Sequence, residues 1–128
     1  MSDKELIEWL YLAEGDKETA DLLYEEDGRP EIIIYHYHQA LEKYFKYILL
    51  LNKEKINKVH SVDKLLSDIL RKDNSFSVCK NDVLLINSYL PKLRYPYGDR
   101  LTLDDVNSVK ESFTKTFRLI QPFLKKVK

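Results

Sequence analysis

The regular spacing of apolar residues near the carboxyl end constrains the fold of this chain most. Steps of three or four separate Leu103, Val106, Val109, Phe113, Phe117, Ile120 and Leu124. This period is typical of one face of an α-helix. Just before it, Thr102 and Asp105 form a capping-box-like pair, which marks a helix start. The sequence therefore predicts a long amphipathic helix, bent where Pro122 lacks a backbone donor.

Similar patterns predict helices in the first half of the chain. Helix 1 is expected from about Asp3 to Glu26, with Ser2 and Glu5 as a capping box. Helix 2 begins near Glu31 and reaches Leu51, with an apolar arc opposite a polar edge. The β-branched run at 32–34 has an alternative interpretation as a short strand, but no segment with matching alternation is present to pair with it. We therefore interpret the run as helical.

The second half adds two short helices before the long one. Ser61 is a suitable N-cap for helix 3, which carries Val62, Leu65, Leu66, Ile69 and Leu70, and Asp73 to Ser75 form a polar break. Val83 to Leu90 mark a fourth helix, closed by Pro91. We therefore predict an all-α fold, an up-and-down antiparallel bundle of four to five helices. The 128 residues are expected to form a single domain, 1–128.

Composition narrows the class of protein. Apolar residues make up 44% and charged residues 33% of the chain, which is typical of a folded globular protein. The longest apolar runs, Trp9 to Ala13 and Tyr47 to Leu51, are far shorter than the ~20 residues that cross a bilayer. Met1 is followed by polar residues rather than a secretory signal, and the single Cys79 excludes an internal disulfide. We expect a cytoplasmic protein with no membrane association.

The motifs of common catalytic and cofactor sites are missing. The glycines Gly15, Gly28 and Gly98 lie too far apart to form a phosphate-binding loop. His36 and His38 are two residues apart, about 200° around a helix, so they cannot bind one metal from the same face. No serine or cysteine has the spacing of a nucleophile. We therefore predict no catalytic residues, no metal and no cofactor.

A polar stripe on helix 2 is the first candidate binding surface. Gln39, Glu42, Lys43 and Lys46 occupy neighbouring positions, and the adjacent Glu42–Lys43 pair gains little energy within a helix. One explanation is that these residues form ion pairs with helix 1 or with the last helix. The other is that they line a groove that contacts a nucleotide, an RNA phosphate or a partner protein.

The loop before the last helix is the second candidate surface. Arg94, Tyr95 and Tyr97 offer a guanidinium and two aromatic rings, which suit phosphate contact and base stacking. The alternative is that Arg94 caps helix 4 and that Tyr95 packs beneath the loop. His60, at the junction before helix 3, completes the candidate groove; its more ordinary role is a hydrogen bond that fixes the turn.

Three segments in this order resemble the HEPN family, the helical domains named for higher eukaryotes and prokaryotes nucleotide-binding. They are His38 to Lys43 with Lys46, His60 to Val62 with Leu65 and Leu66, and Arg94 to Pro96. The resemblance covers essentially the whole chain. It implies a helical bundle, a homodimer, binding of a nucleotide or RNA, and a minimal nucleotidyltransferase partner in a toxin–antitoxin-like pair.

Some members of the family are metal-independent ribonucleases with an arginine followed, after four to six residues, by a histidine. Arg94 occupies the expected position, but residues 95–101 contain no histidine, so the general acid/base is missing. Arg29 and His36 have the required spacing at a different place, which we interpret as coincidence. Our first hypothesis is a non-catalytic binding module. The alternatives are a divergent ribonuclease that uses Arg94, Tyr95 and His60, and a purely structural partner of another protein.

Overall fold

The structure, a computed structural model, describes residues 3–56, 61–96 and 98–127. This part of the chain is helical and contains no strand, which confirms the predicted all-α class. Five α-helices have nine or more residues, and one short helix precedes the last of them. In chain order they are α1 Asp3–Glu25, α2 Pro30–Leu51, α3 Val62–Leu70, α4 Lys80–Ser88, α5 Leu90–Arg94 and α6 Leu103–Ile120.

The centre of the bundle is α2. Every residue from Tyr44 to Leu50 is buried, as is most of the preceding turn. A helix that is buried on all sides must have neighbours all round, and α2 packs against α1, α3 and α6. The run Ile32–Ile34 lies within α2, so its helical interpretation was correct. Pro30 stands in the first turn, where its missing N–H costs nothing.

Cross-helix contacts give the direction of α1 relative to α2. Lys46 lies over the ring of Trp9, at one end of the pair. Asp16 contacts both His36 and Lys43, nearer the other end. As the residue number rises along α1 it falls along α2, so the two helices are antiparallel.

Contacts between residues far apart in the sequence give the directions of α6 and α4. Ring contacts join Tyr37 to Phe113 and Tyr44 to Phe117, so α6 runs in the same direction as α2. The hydroxyl of Ser112 donates to Asp82 at 2.9 Å, and Tyr89, just after α4, donates to Asp105 at 2.8 Å. These two bonds make α4 antiparallel to α6. The helices α1, α2, α4 and α6 therefore alternate in direction, as an up-and-down bundle requires.

The start of α6 matches the sequence prediction and its end differs. The Thr102 hydroxyl accepts the Asp105 N–H, and the Asp105 carboxylate accepts the Thr102 N–H at 2.8 Å, so the capping box is present. The α-helix ends at Ile120, and Gln121–Val127 form a 3₁₀ segment. Pro122 therefore follows the helix instead of bending it, because its ring cannot continue the hydrogen-bond pattern.

In the middle of the chain, one short segment was not predicted and one predicted boundary was wrong. The polar break at 73–75 begins a 3₁₀ segment, Asn74–Cys79, in which the Asp73 side chain accepts the Ser75 N–H and Phe76 is buried. Pro91 does not end a helix: it stands in the first turn of α5, a position that suits its fixed φ. Arg94 is consequently the last residue of a helix and not part of a loop. Within the described residues, no helix is long and apolar enough to cross a membrane.

Candidate functional site

The polar stripe of α2 faces a pocket of about 580 Å³ between α1, α2 and α5. Three helices contribute its lining. The residues are Trp9 and Leu12 of α1; Tyr35, His38, Gln39, Glu42, Lys43 and Lys46 of α2; and Leu90, Leu93 and Arg94 of α5. The volume lies within the range of small-molecule sites. We call this cavity the central pocket.

The central pocket brings together five of the eight predicted site residues: Gln39, Glu42, Lys43, Lys46 and Arg94. Tyr95 lies elsewhere. It is 56% exposed and lines a separate cavity of about 740 Å³ with Arg29 and Lys92. The alternative in which Tyr95 packs beneath the loop was therefore wrong. The predicted residues His60 and Tyr97 lie outside the described part of the chain.

A buried ion pair forms one wall of the pocket. The ammonium of Lys46 lies 2.9 Å from the Glu42 carboxylate, and the two side chains are 6% and 4% exposed. The same ammonium lies 5.1 Å from the centroid of the Trp9 ring, a cation–π distance. Glu42 and Lys46 are one helical turn apart with the acid first, which is the favourable order. Sequence reasoning considered only the adjacent Glu42–Lys43 pair and missed this one.

Lys43, by contrast, is held by α1. Its ammonium lies 2.5 Å from Asp16, and the other oxygen of that carboxylate is 2.9 Å from Nδ1 of His36. The alternative in which stripe residues pair with helix 1 is therefore correct for Lys43. The positive charge of Lys43 is compensated inside the fold, although its side chain still reaches the pocket wall.

Arg94 occupies the rim of the pocket. The half-buried side chain of Leu93 packs α5 against the core, and the helix ends with Arg94 exposed. Within the described residues, the Arg94 guanidinium makes no hydrogen bond or ion pair. It does not cap α4, because α5 intervenes. A guanidinium in this state is available to an anion, and its fork suits a phosphate or carboxylate.

The pocket also has apolar walls that the sequence did not reveal as site residues. Trp9 was not among the predicted site residues, and the structure places it half-buried at the pocket edge. Tyr35 lies four residues before Gln39, and residues three or four apart share one face of a helix, so this spacing could have identified Tyr35 as a pocket residue. His38, one residue before Gln39, had no such signal. Leu12 and Leu93 had no such signal. Aromatic walls beside a few polar groups are typical of small-molecule sites.

A metal site has no support in the described residues. They contain no group of three or more histidine, cysteine or acidic side chains placed to hold an ion. His36 is engaged with Asp16, and His38 is fully buried in the wall of the pocket.

Comparisons with known proteins agree with this architecture. The family model described as HEPN domain matches residues 7–125, nearly the whole chain. The match includes all three segments on which the sequence resemblance depended. Neither the comparison with curated proteins nor the comparison with solved structures gave a match.

Proposed function

The chain belongs to the HEPN domain family, and on that premise we propose that it is a non-catalytic binding module. The module engages a nucleotide through the central pocket. It also engages a minimal nucleotidyltransferase partner in a toxin–antitoxin-like pair. Membership of the family indicates a module related to nucleotides or RNA. The ligand, the partner and the lack of catalysis are the proposal.

The observation that carries the nucleotide part is the composition of the central pocket. Aromatic side chains, Trp9 and Tyr35, stand beside the polar pair Glu42 and Lys46, and Arg94 is at the rim. A nucleotide needs these same elements: a surface for its base, hydrogen-bonding groups for the base edge, and a cation for the phosphate. The pocket volume is ample for one nucleotide.

The outer face of α1 supports a protein partner. Ile7, Tyr11 and Leu22 are among the exposed large hydrophobic residues and fall on one side of the helix. Glu14 and Glu18 lie between them, also exposed. Apolar side chains that remain in water beside charges are typical of surfaces that another protein covers. A partner with a basic, partly apolar surface would complement this face. A homodimer, which the family resemblance also implies, stays a prediction that sedimentation analysis would test.

The non-catalytic part of the proposal depends on the position of acid/base groups. No histidine follows Arg94 in the sequence, and Arg94 and Tyr95 line different cavities. A divergent ribonuclease that used Arg94 and Tyr95 together would need them around one scissile phosphate. Incubation with mixed RNA should therefore give no cleavage. Cleavage that disappears in Arg94→Ala would replace the binding module with the ribonuclease alternative.

Nucleotide binding can be measured directly. Calorimetric titration with ATP and with the four nucleoside monophosphates should give saturable heat for at least one of them. Arg94→Ala should weaken that binding, whereas Lys92→Ala, which removes a charge from the same short helix outside the pocket, should not. No heat with any nucleotide would contradict this part of the proposal.

The partner can be tested by co-expression. If a small nucleotidyltransferase is encoded beside this chain, the two proteins should co-purify through an affinity tag on either one. Failure to form a complex in both orientations of the tag would contradict the partner part while leaving the nucleotide part intact.

A further inference from the structure

The three cations around the central pocket are not equivalent. Lys43 is compensated by Asp16 at 2.5 Å, and Lys46 by Glu42 at 2.9 Å. Arg94 has no ion pair within the described residues and is exposed at the rim. Since the two lysine charges already have carboxylate partners inside the fold, Arg94 alone adds uncompensated positive charge to this pocket.

The charged side chains around the pocket limit where additional phosphates of a bound ligand can lie. Beyond Lys43, the next cavity on α1, about 390 Å³, is lined by Glu14, Asp16 and Glu18. A chain of phosphates that extended in this direction would meet carboxylates, and like charges repel. On α5, the other cation, Lys92, lines a different cavity, because residues two apart on a helix do not share a face.

The polar wall deeper in the pocket offers a different chemistry. Glu42 and Lys46 stand side by side, so an acceptor and a donor are presented together where both side chains are more than nine-tenths buried. The edge of a nucleobase carries donors and acceptors in the same adjacent arrangement. The ring of Trp9, held next to the Lys46 ammonium, provides an aromatic surface beside this pair.

From this arrangement of charge, we propose that the central pocket binds a single nucleotide unit with one phosphate, with the phosphate on Arg94 and the base edge directed to Glu42 and Lys46. The inference rests on the proposed nucleotide-binding function and adds the phosphate number and the orientation. Two sources share this chemistry: a free nucleoside monophosphate and one nucleotide of single-stranded RNA. A nucleoside triphosphate gains nothing from its two outer phosphates.

Trp9 makes the test simple, because it is the only tryptophan of the chain and lines the pocket. Its fluorescence reports titration with each of the four nucleosides and with the matching mono-, di- and triphosphates, without added metal. The base that binds best should gain about tenfold or more in affinity from its first phosphate, as a charge-assisted contact with arginine would give. The second and third phosphates should change the affinity by less than about threefold.

Variants test whether Arg94 is responsible for the gain in affinity from the first phosphate. In Arg94→Ala, the nucleoside and its monophosphate should bind equally. Lys43→Ala should retain most of the gain from the first phosphate, because Asp16 already holds that charge. Lys92→Ala is the matched control and should behave as the unaltered protein. Arg94→Lys keeps the charge without the fork and should retain part of the gain. Circular dichroism of each variant checks that the helices are intact.

The outcomes separate this inference from the proposed function. An affinity that rises about tenfold with each added phosphate, or a gain that survives Arg94→Ala, would overturn the inference while nucleotide binding stands. Absence of binding by every nucleoside and nucleotide would remove both. Competition between a short single-stranded oligoribonucleotide and the monophosphate would identify RNA as the source. Binding of the monophosphate alone would identify the free nucleotide.

Discussion

Glu42 and Lys46 form an ion pair 2.9 Å long in the wall of the central pocket, and less than a tenth of either side chain is exposed. Burying two charges costs several kcal/mol per ion, which their mutual attraction repays only in good geometry. A pair of well-packed apolar side chains would often be at least as stable. The burial of this ion pair is therefore weak evidence that it stabilises the fold.

This pair gives the first prediction. Lys46→Met should lower the free energy of unfolding by about 3–5 kcal/mol, because it removes the cation that lies 2.9 Å from the buried Glu42 carboxylate. The double variant Glu42→Leu with Lys46→Met should recover most of that loss, yet bind nucleotides poorly. Urea unfolding measures both free energies. A single variant as stable as the unaltered protein would show that the pair is not buried as described.

The second prediction concerns pH and the contact between α1 and α2. The Tyr37 hydroxyl donates to Asp21 at 2.5 Å, and Lys17 and Lys110 lie near the same carboxylate. Burial alone would raise the pKa of Asp21, but the bonds from Tyr37 and Lys17 and the charges of the two lysines outweigh it and lower this pKa below its usual value. Burial raises the pKa of Tyr37 far above its usual value, and the bond to Asp21 adds to that rise.

The pKa of Asp21 is lower in the folded than in the unfolded state, so the ionised carboxylate stabilises the folded protein. This contribution is fully present at pH values above the pKa of Asp in the unfolded chain, about 4, and is lost as the pH falls through the lower pKa of the folded state. Tyr37→Phe removes one donor and should cost about 1 kcal/mol at pH 7, a modest figure because Asp21 is partly exposed. The deficit should shrink near pH 3. Tyr44→Phe is the control, since that hydroxyl makes no hydrogen bond among the described residues. Thermal unfolding at both pH values measures the effect, and a deficit independent of pH would contradict the assignment.

The third prediction uses two glycines in opposite situations. A Cβ added at Gly15, inside α1, would meet nothing within 4 Å, whereas one at Gly28 would lie 2.9 Å from the Cβ of Leu23. Gly15→Ala should stabilise the protein by about 0.5–1 kcal/mol through the higher helix propensity of alanine. Gly28→Ala should destabilise it by about 1 kcal/mol or more, because the turn into α2 must shift. Equal effects in denaturant unfolding would be inconsistent with this geometry.

The fourth prediction tests the start of α6. Thr102→Ala removes the hydroxyl that accepts the Asp105 N–H and should cost about 1 kcal/mol. The capping interaction contributes to the lowered pKa of Asp105, whose largest cause is the backbone N–H of Thr102. Thr114→Ala, in the middle of the same helix, is the matched control and should change stability by less than about 0.5 kcal/mol. Equal losses in the two variants would argue against the cap.

The fifth prediction concerns the outer face of α1. Tyr11 is 72% exposed and forms part of the surface that we propose for a partner. Tyr11→Ala should weaken a co-purified complex about tenfold or more, because exposed aromatic side chains are frequent anchors of interfaces. Val78→Ser alters a side chain that is similarly exposed, at 76%, on another part of the bundle, and should leave the complex unchanged. Equal weakening by both variants, measured by surface plasmon resonance, would place the contact elsewhere.

Local sequence determined the helices and the class of fold. The apolar spacing from Val106 to Ile120 identifies the buried face of α6, and Thr102 with Asp105 fixes where the helix begins, because both depend on neighbours within one or two turns. Leu103, predicted to lie on the same face, is instead 62% exposed, because it stands in the first turn of the helix. The same reasoning predicted α2 as a helix with an apolar arc opposite a polar edge. The polar stripe was found for the same reason, since side chains three or four apart share one face.

Only the tertiary structure decided what the stripe contacts. Asp16 lies 27 residues before Lys43, and no local pattern pairs them. Three different helices supply Trp9, Glu42 and Arg94, and the packing of these helices places the three side chains around one cavity. Tyr95, although next to Arg94 in the sequence, lines another cavity. A site of this kind depends on long-range packing, so the sequence supplies its residues and the fold selects which of them meet.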